Sequence, residues 1–336
     1  MKIDLSIMGT ALENVPSVAK TLAEQGVDGI FSAEGPHDVF APLYLASTSS
    51  PNLGLMTNAA IAFPRNPIHL AHTAFDLQRL TKGNFRLGIA PQVPAHIERR
   101  FGLEWSDPAA RMGDLIDALH AIFSAWQDGT RLNHVGPFYR HTLMTPMFNP
   151  GPVDGGPPPV LLGALGPVMT RLAAEKADGL TILPFCSEAL LRSTTWPAIE
   201  QGLQGALRQR EEFEVVCGAI VGIGESEDEI AVVTERVKAL LGFYSSTPSY
   251  RRVLESIGKQ DVGPELSIRV RAGDFGSLAE LVDEDMVAQL AIVGTPQEVA
   301  ARLRDRFGWL ADRLAVFFPS EPSSDSLRTL IQAIKA

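Results

Sequence analysis

Short apolar runs alternate with stretches of helical periodicity along the whole chain. Eight runs read as strands: residues 3–8 (IDLSIM), 29–33 (GIFSA), 53–62 (LGLMTNAAIA), 85–90 (FRLGIA), 159–164 (PVLLGA), 179–185 (GLTILPF), 214–223 (EVVCGAIVGI) and 313–319 (RLAVFFP). Their near-continuous hydrophobicity suits parallel strands covered on both faces, not strands with one wet face. Between them the period changes to that of a helix. Val15, Val18, Ala19 and Leu22 share a face, with Pro16 in a first turn and Gly26 beyond the end. Residues 111–126 put Met112, Leu115, Ile116, Leu119, Ile122, Phe123 and Trp126 on one side. Thr295-Pro-Gln-Glu298 has the form of a capping box, followed by Val299, Leu303 and Phe307 on a buried stripe. Eight strand–helix units favour an α/β (β/α)₈ TIM barrel, with an open doubly wound sheet as the competing arrangement.

The spacing also marks two segments too long for ordinary connections, approximately 91–158 and 226–290. They are expected to be insertions in the loops of one domain spanning 1–336, where long loops serve as lids or walls.

Composition narrows the classes. The 336 residues are 45% hydrophobic and 20% charged, and the formal net charge is −10. The acidic balance disfavours nucleic acid or an anionic membrane as a partner. No uncharged apolar run approaches the roughly 18 residues that a spanning helix needs, and the start MKIDLSIMG reads as a first strand. Two cysteines, Cys186 and Cys217, lie inside apolar runs and read as buried thiols of a cytoplasmic protein.

In a barrel, the residues just past each strand share the C-terminal mouth, where barrel active sites sit. That rule gathers Glu34, His37 and Asp38 after the second strand, Asn58 at the third, Gln92 after the fourth and Gly163 at the end of the fifth. Gly163 and Gly166 permit close backbone approach, and Pro167 opens a helix whose free amides would attract a phosphate. A plain strand-to-helix turn would use the same residues. Glu34 and His37 suit acid–base work, with a helix-entry turn as the bland alternative and Asp38 left to that turn. No His-x-His follows the first strand, and no metal is expected.

In this order the motifs resemble the luciferase-like monooxygenase superfamily, within the group that uses the deazaflavin coenzyme F-420. The resemblance rests on residues 26–47, 53–92, 111–126, 136–146, 158–180 and 293–308, most distinctively on LQRLTKGNFRLGI at 77–89. It implies a barrel holding a flavin or deazaflavin ring in its mouth, with a non-prolyl cis peptide near Thr57, Asn58 and Ala59 behind the ring. It places the coenzyme's phosphate on Gly163, Ala164, Leu165 and Gly166, sets Gln92 near the ring, and suggests a homodimer acting on a small molecule. His37 is then the expected proton donor or acceptor, with Glu34 orienting it or touching the ring. The usual adjacent acid–His pair is here Glu34-Gly-Pro-His37. Gln92 stands where related sugar-phosphate dehydrogenases carry a Glu, so that specific activity is not transferred. The expected function is hydride transfer between coenzyme F-420 and an organic substrate. The rivals are a monooxygenase using reduced FMN and oxygen, and a non-catalytic cofactor-binding barrel.

Overall fold

The computed structural model describes every residue from Met1 to Ala336. All eight apolar runs form strands: β1 (Lys2–Ser6), β2 (Gly29–Ser32), β3 (Gly54–Thr57), β4 (Phe85–Ala90), β5 (Val160–Ala164), β6 (Gly179–Ile182), β7 (Glu214–Ile223) and β8 (Arg313–Phe317). Each is parallel to its neighbour in sequence order, and β8 pairs back onto β1 through Lys2↔Arg313 and Leu5↔Val316. The sheet therefore closes, and the open doubly wound alternative is overturned. Closure leaves no free edge, which accounts for strands that are apolar on both faces.

Helices α1 (Val15–Glu24), α2 (Ala41–Ser49), α3 (Pro67–Leu80), α4 (Pro108–Gln127), α5 (Pro167–Lys176), α6 (Trp196–Gly205), α7 (Glu227–Ser245), α8 (Pro296–Phe307) and α9 (Ser324–Lys335) wrap the barrel. The start signals act as their chemistry requires. Thr295 and Glu298 form the capping box of α8, and Ser226 Oγ accepts the Glu229 amide at the start of α7. Gly26 adopts φ +89° just past α1, a conformation costly for a residue with a side chain.

Two features depart from the strand pattern. The third apolar run is broken: β3 stops at Thr57, the Asn58–Ala59 peptide is cis, and Ala60–Ile61 then pairs with the end of β4. A further short strand, Ile292–Gly294, extends the sheet beside the end of β7. Its three residues are too few to carry a period.

The amino ends of the strands are closed by charge. Arg313 of β8 donates from Nε to Asp4 Oδ2 of β1 at 2.7 Å and from Nη2 to Oδ1 at 2.5 Å, with both residues buried. Arg86 of β4 donates to Glu214 of β7 at 2.6 Å nearby. The opposite end is left for a cavity. No helix is long and apolar enough to cross a membrane.

Candidate active site

A cavity of about 610 Å³ opens at the carboxyl ends of the strands. That volume falls within the range of small-molecule sites. Glu34, Asn58, Ala59, Gln92, Gly163, Ala164 and Leu165 all line it. Thr57 and Gly166 do not line it, though each is the chain neighbour of a residue that does.

The wall after β3 is tightly specified. Thr57 is fully buried, and its hydroxyl donates to the Gly88 carbonyl at 2.7 Å. The Thr57 carbonyl lies so close over β4 that any Cβ at position 88 would collide with it. Glycine there is a steric requirement. The Asn58 amide donates to the Ser32 carbonyl at 2.8 Å, and its side-chain Oδ1 accepts from the Thr181 hydroxyl of β6 at 2.5 Å. The Asn58 side-chain NH₂ keeps its donors free at the cavity wall. Gln92 holds φ +69°, an unusual conformation for a residue with a side chain, at the point where β4 leaves the barrel.

Glu34 is held from the next loop. Its Oε1 accepts from the Ile61 amide at 3.0 Å and from Arg65 Nη1 at 2.5 Å. Arg65 also donates to the Ile61 carbonyl at 2.8 Å and reaches Asp38 Oδ2 at 3.1 Å. One guanidinium thus ties the loop after β2 to the loop after β3. Asp38 Oδ1 accepts from the Phe40 amide at 2.9 Å, the turn role expected of it.

His37 is not brought to the cavity. It is exposed, absent from the lining and without a hydrogen bond, because the Gly35–Pro36 turn carries it outward past Glu34. The imidazole that does line the cavity is His96, on the short helix Pro94–Arg99.

After β5, Gly163 packs so closely on β4 that a Cβ would sit 3.1 Å from that of Ala90. Gly166 caps α5 without any side-chain hydrogen bond, and the amides of Val168 and Met169 find no acceptor within the chain. Arg252 lies alongside, its Nη1 only 3.3 Å from where a Cβ on Gly166 would be, and it pairs with no carboxylate. Unpaired amides at a helix start, beside a free guanidinium, form an anion-receptive corner.

The remaining wall comes from α7 and the turn after it. Tyr244 stacks on Phe185 with centroids 5.5 Å apart at 19°, and Tyr250 lies 6.1 Å from Tyr244. Burial pushes the Tyr244 phenol up to about 12 and raises Tyr250 as well. Cys186, also pushed up by burial to about 12, and Cys217, raised well above its ordinary value by burial, are inert thiols of the core.

A closed parallel barrel with its chemistry-bearing loops gathered around one mouth is the (β/α)₈ fold. The family model for luciferase-like monooxygenases matches residues 3–313. The chain belongs to that family. An uncharacterized Mycobacterium tuberculosis protein is 40% identical over 318 residues, covering 95% of this chain and 93% of the relative. A second protein of that organism, provisionally named a coenzyme F-420-dependent oxidoreductase, is 25% identical over 95% of this chain and 93% of its own. Among solved structures, the coenzyme F-420-dependent tetrahydromethanopterin reductase of Methanopyrus kandleri superposes with a TM-score of 0.83 at 19% identity, covering 99% of this chain and 98% of that one. The EDTA monooxygenase of Chelativorans sp. BNC1 superposes at 0.73 and 17% identity, over 99% and 92%. These likenesses reproduce the fold.

Proposed function

We propose that this luciferase-like oxidoreductase transfers a hydride between the deazaflavin coenzyme F-420 and a small organic substrate, both held in the barrel mouth. The observation that carries the proposal is the corner formed by Gly163–Gly166, the free Val168 and Met169 amides and the unpaired Arg252. It suits the phosphate of a coenzyme tail at one side of a cavity whose other walls are largely apolar. The F-420-dependent name of the 25%-identical relative supports the same choice.

When bound, the coenzyme supplies a two-electron hydride carrier. The protein's part is to hold, orient and dry the partners, which supplies much of the rate in such reactions. Asn58, Ala59 and Gln92 would face the ring, with Asn58 fixed by Thr181 and the segment backed by the Thr57–Gly88 contact. Glu34, fastened by Arg65 and Ile61, serves as a rigid acceptor at the wall. Proton exchange is assigned to His96, since an imidazole is the side chain suited to it near neutrality and His37 is turned away.

A second reading, a monooxygenase using reduced FMN and oxygen, is favoured by the monooxygenase members of the family. The phosphate corner would serve either coenzyme. Purifying the protein from a host that makes both cofactors and recording its absorption spectrum separates the two. A bound deazaflavin spectrum is expected; a flavin spectrum overturns the choice, and a bound deazaflavin that no substrate oxidises or reduces points to the non-catalytic cofactor-binding barrel.

A further inference from the structure

The cavity lining contains neither lysine nor arginine. Its single carboxylate, Glu34, has Oε1 committed to Arg65 and the Ile61 amide, and its other titratable groups are His96 and two phenols. The free cation nearby, Arg252, stands behind Gly166 and outside the lining, where the coenzyme's phosphate is assigned. An anionic substrate would therefore lose its water in this chamber with no permanent cation to meet it, a heavy cost.

The chamber does offer apolar surface and uncharged hydrogen-bond donors, two of them phenols. Met8, Trp105, Phe243 and Phe317 contribute apolar walls. Tyr244 and Tyr250 also line it, and neither hydroxyl has a hydrogen-bond partner in the chain, although every other buried or half-buried tyrosine hydroxyl has one: Tyr44 donates to the Thr73 carbonyl, and Tyr139 accepts from Arg111. Partly buried phenols ordinarily find partners. The Phe185 stack fixes the Tyr244 ring. Because burial raises both phenols, each keeps its proton through the neutral range and can donate.

We propose that the substrate is an uncharged molecule with an apolar body and a carbonyl or hydroxyl oxygen, and that Tyr244 and Tyr250 select it by hydrogen bonding to that oxygen. The assignment rests on the mouth being the substrate chamber of an oxidoreductase, as proposed above. In the reducing direction a ketone suits it: the carbonyl carbon takes a hydride with its electron pair, the oxygen takes a proton from His96, and the reduced deazaflavin, giving up that hydride, is oxidised by two electrons.

The test is binding to the full chain, measured by saturation-transfer NMR with cyclohexanone and, as the size-matched anion, cyclohexanecarboxylate. The ketone is expected to bind at least roughly tenfold more tightly than the carboxylate. Tyr244→Phe and Tyr250→Phe should each weaken the ketone by roughly fivefold, the worth of one hydrogen bond, while leaving the melting temperature nearly unchanged. A carboxylate bound as tightly as the ketone overturns the proposal, as do phenylalanine variants that hold the ketone as well as the parent protein. If one variant fails to fold, the other variant and the ketone–carboxylate comparison in the parent protein still decide. Titration of coenzyme F-420 into the same proteins is a separate readout, expected to be unmoved by either phenylalanine. Loss of F-420 binding in the parent protein would sink the coenzyme assignment, while the ketone data judge the substrate class on their own.

Discussion

Arg65 does more at the mouth than any residue the motifs single out. It joins Glu34, Asp38 and the Ile61 carbonyl through one planar fork. Sequence could not show this, because its partners lie up to 31 positions away in a different loop. Glu34 was legible, since a carboxylate just past an apolar run in a barrel sits at the mouth. His37 was placed there by the same rule, and the turn at Gly35–Pro36 defeated it. His96 was missed because a histidine on a loop helix carries no signal until the loop is folded over the cavity. A double-mutant cycle on Arg65→Ala and Glu34→Gln, read by urea unfolding, should return a coupling of about 1–3 kcal/mol for a half-buried charge-assisted bond. Additive effects would break the claimed link. At this same scale, His96→Ala should lower turnover about 10²- to 10⁴-fold with any substrate the protein accepts, and His37→Ala should leave it within about twofold.

Elements follow the hydrophobic pattern closely where burial is uniform and depart from it where the backbone serves the site. The run 53–62 reads as one strand by composition alone; folding breaks it because the segment after Thr57 turns inward over Gly88. Gly88 in FRLGIA is therefore a steric device of the cavity wall. Gly88→Ala should destabilise by about 3 kcal/mol or more and displace the Asn58 wall, as overpacking against a fixed carbonyl does; an unfolding midpoint equal to the parent's would show that the wall can yield. A second element sits in the first long insertion. The hairpin formed by His134–Val135 and Arg140–His141 is fastened to α4 by Asp114, which accepts from His134 Nε2 at 2.8 Å and from the Phe138 and Tyr139 amides at 2.7 and 2.8 Å. Burial, reinforced by the neighbouring His134, lowers the His141 pKa, while Asp114 opposes that shift. The unfolded chain, with an ordinary histidine near 6.5, then binds the proton more readily than the folded hairpin. Its stabilising contribution is full above that value and falls as pH drops below it toward the lower folded pKa. Amide exchange across 134–141 should accelerate as pH is taken from 7 to 5, after correction for intrinsic rates. His141→Gln should abolish that dependence; a persistent dependence would assign it elsewhere.

For the whole molecule, the division of labour is between a charged floor and an open mouth. Asp4 and Arg313 lie at the seam where β8 returns to β1, both nearly inaccessible. Burial raises the Asp4 pKa and the Arg313 guanidinium counters it, so each needs the other. Arg313→Met alone should cost about 3–5 kcal/mol, whereas Arg313→Met together with Asp4→Leu should recover much of that loss, read from denaturant midpoints. Equal stability of the single and double variants would deny the pairing. The closed barrel was legible because eight apolar runs separated by helices admit few other solutions. The anion corner was only half legible: the Gly-rich helix start shows in sequence, but Arg252 arrives from a segment some 85 residues later. The most direct measurement is a fluorescence titration of the parent protein and Arg252→Ala with coenzyme F-420, run in parallel with FMN. Micromolar binding of F-420 is expected, weakened roughly tenfold by loss of one charged contact to the phosphate, with FMN bound more weakly. Tight FMN binding with none of F-420, or an Arg252→Ala affinity equal to the parent's, would contradict it.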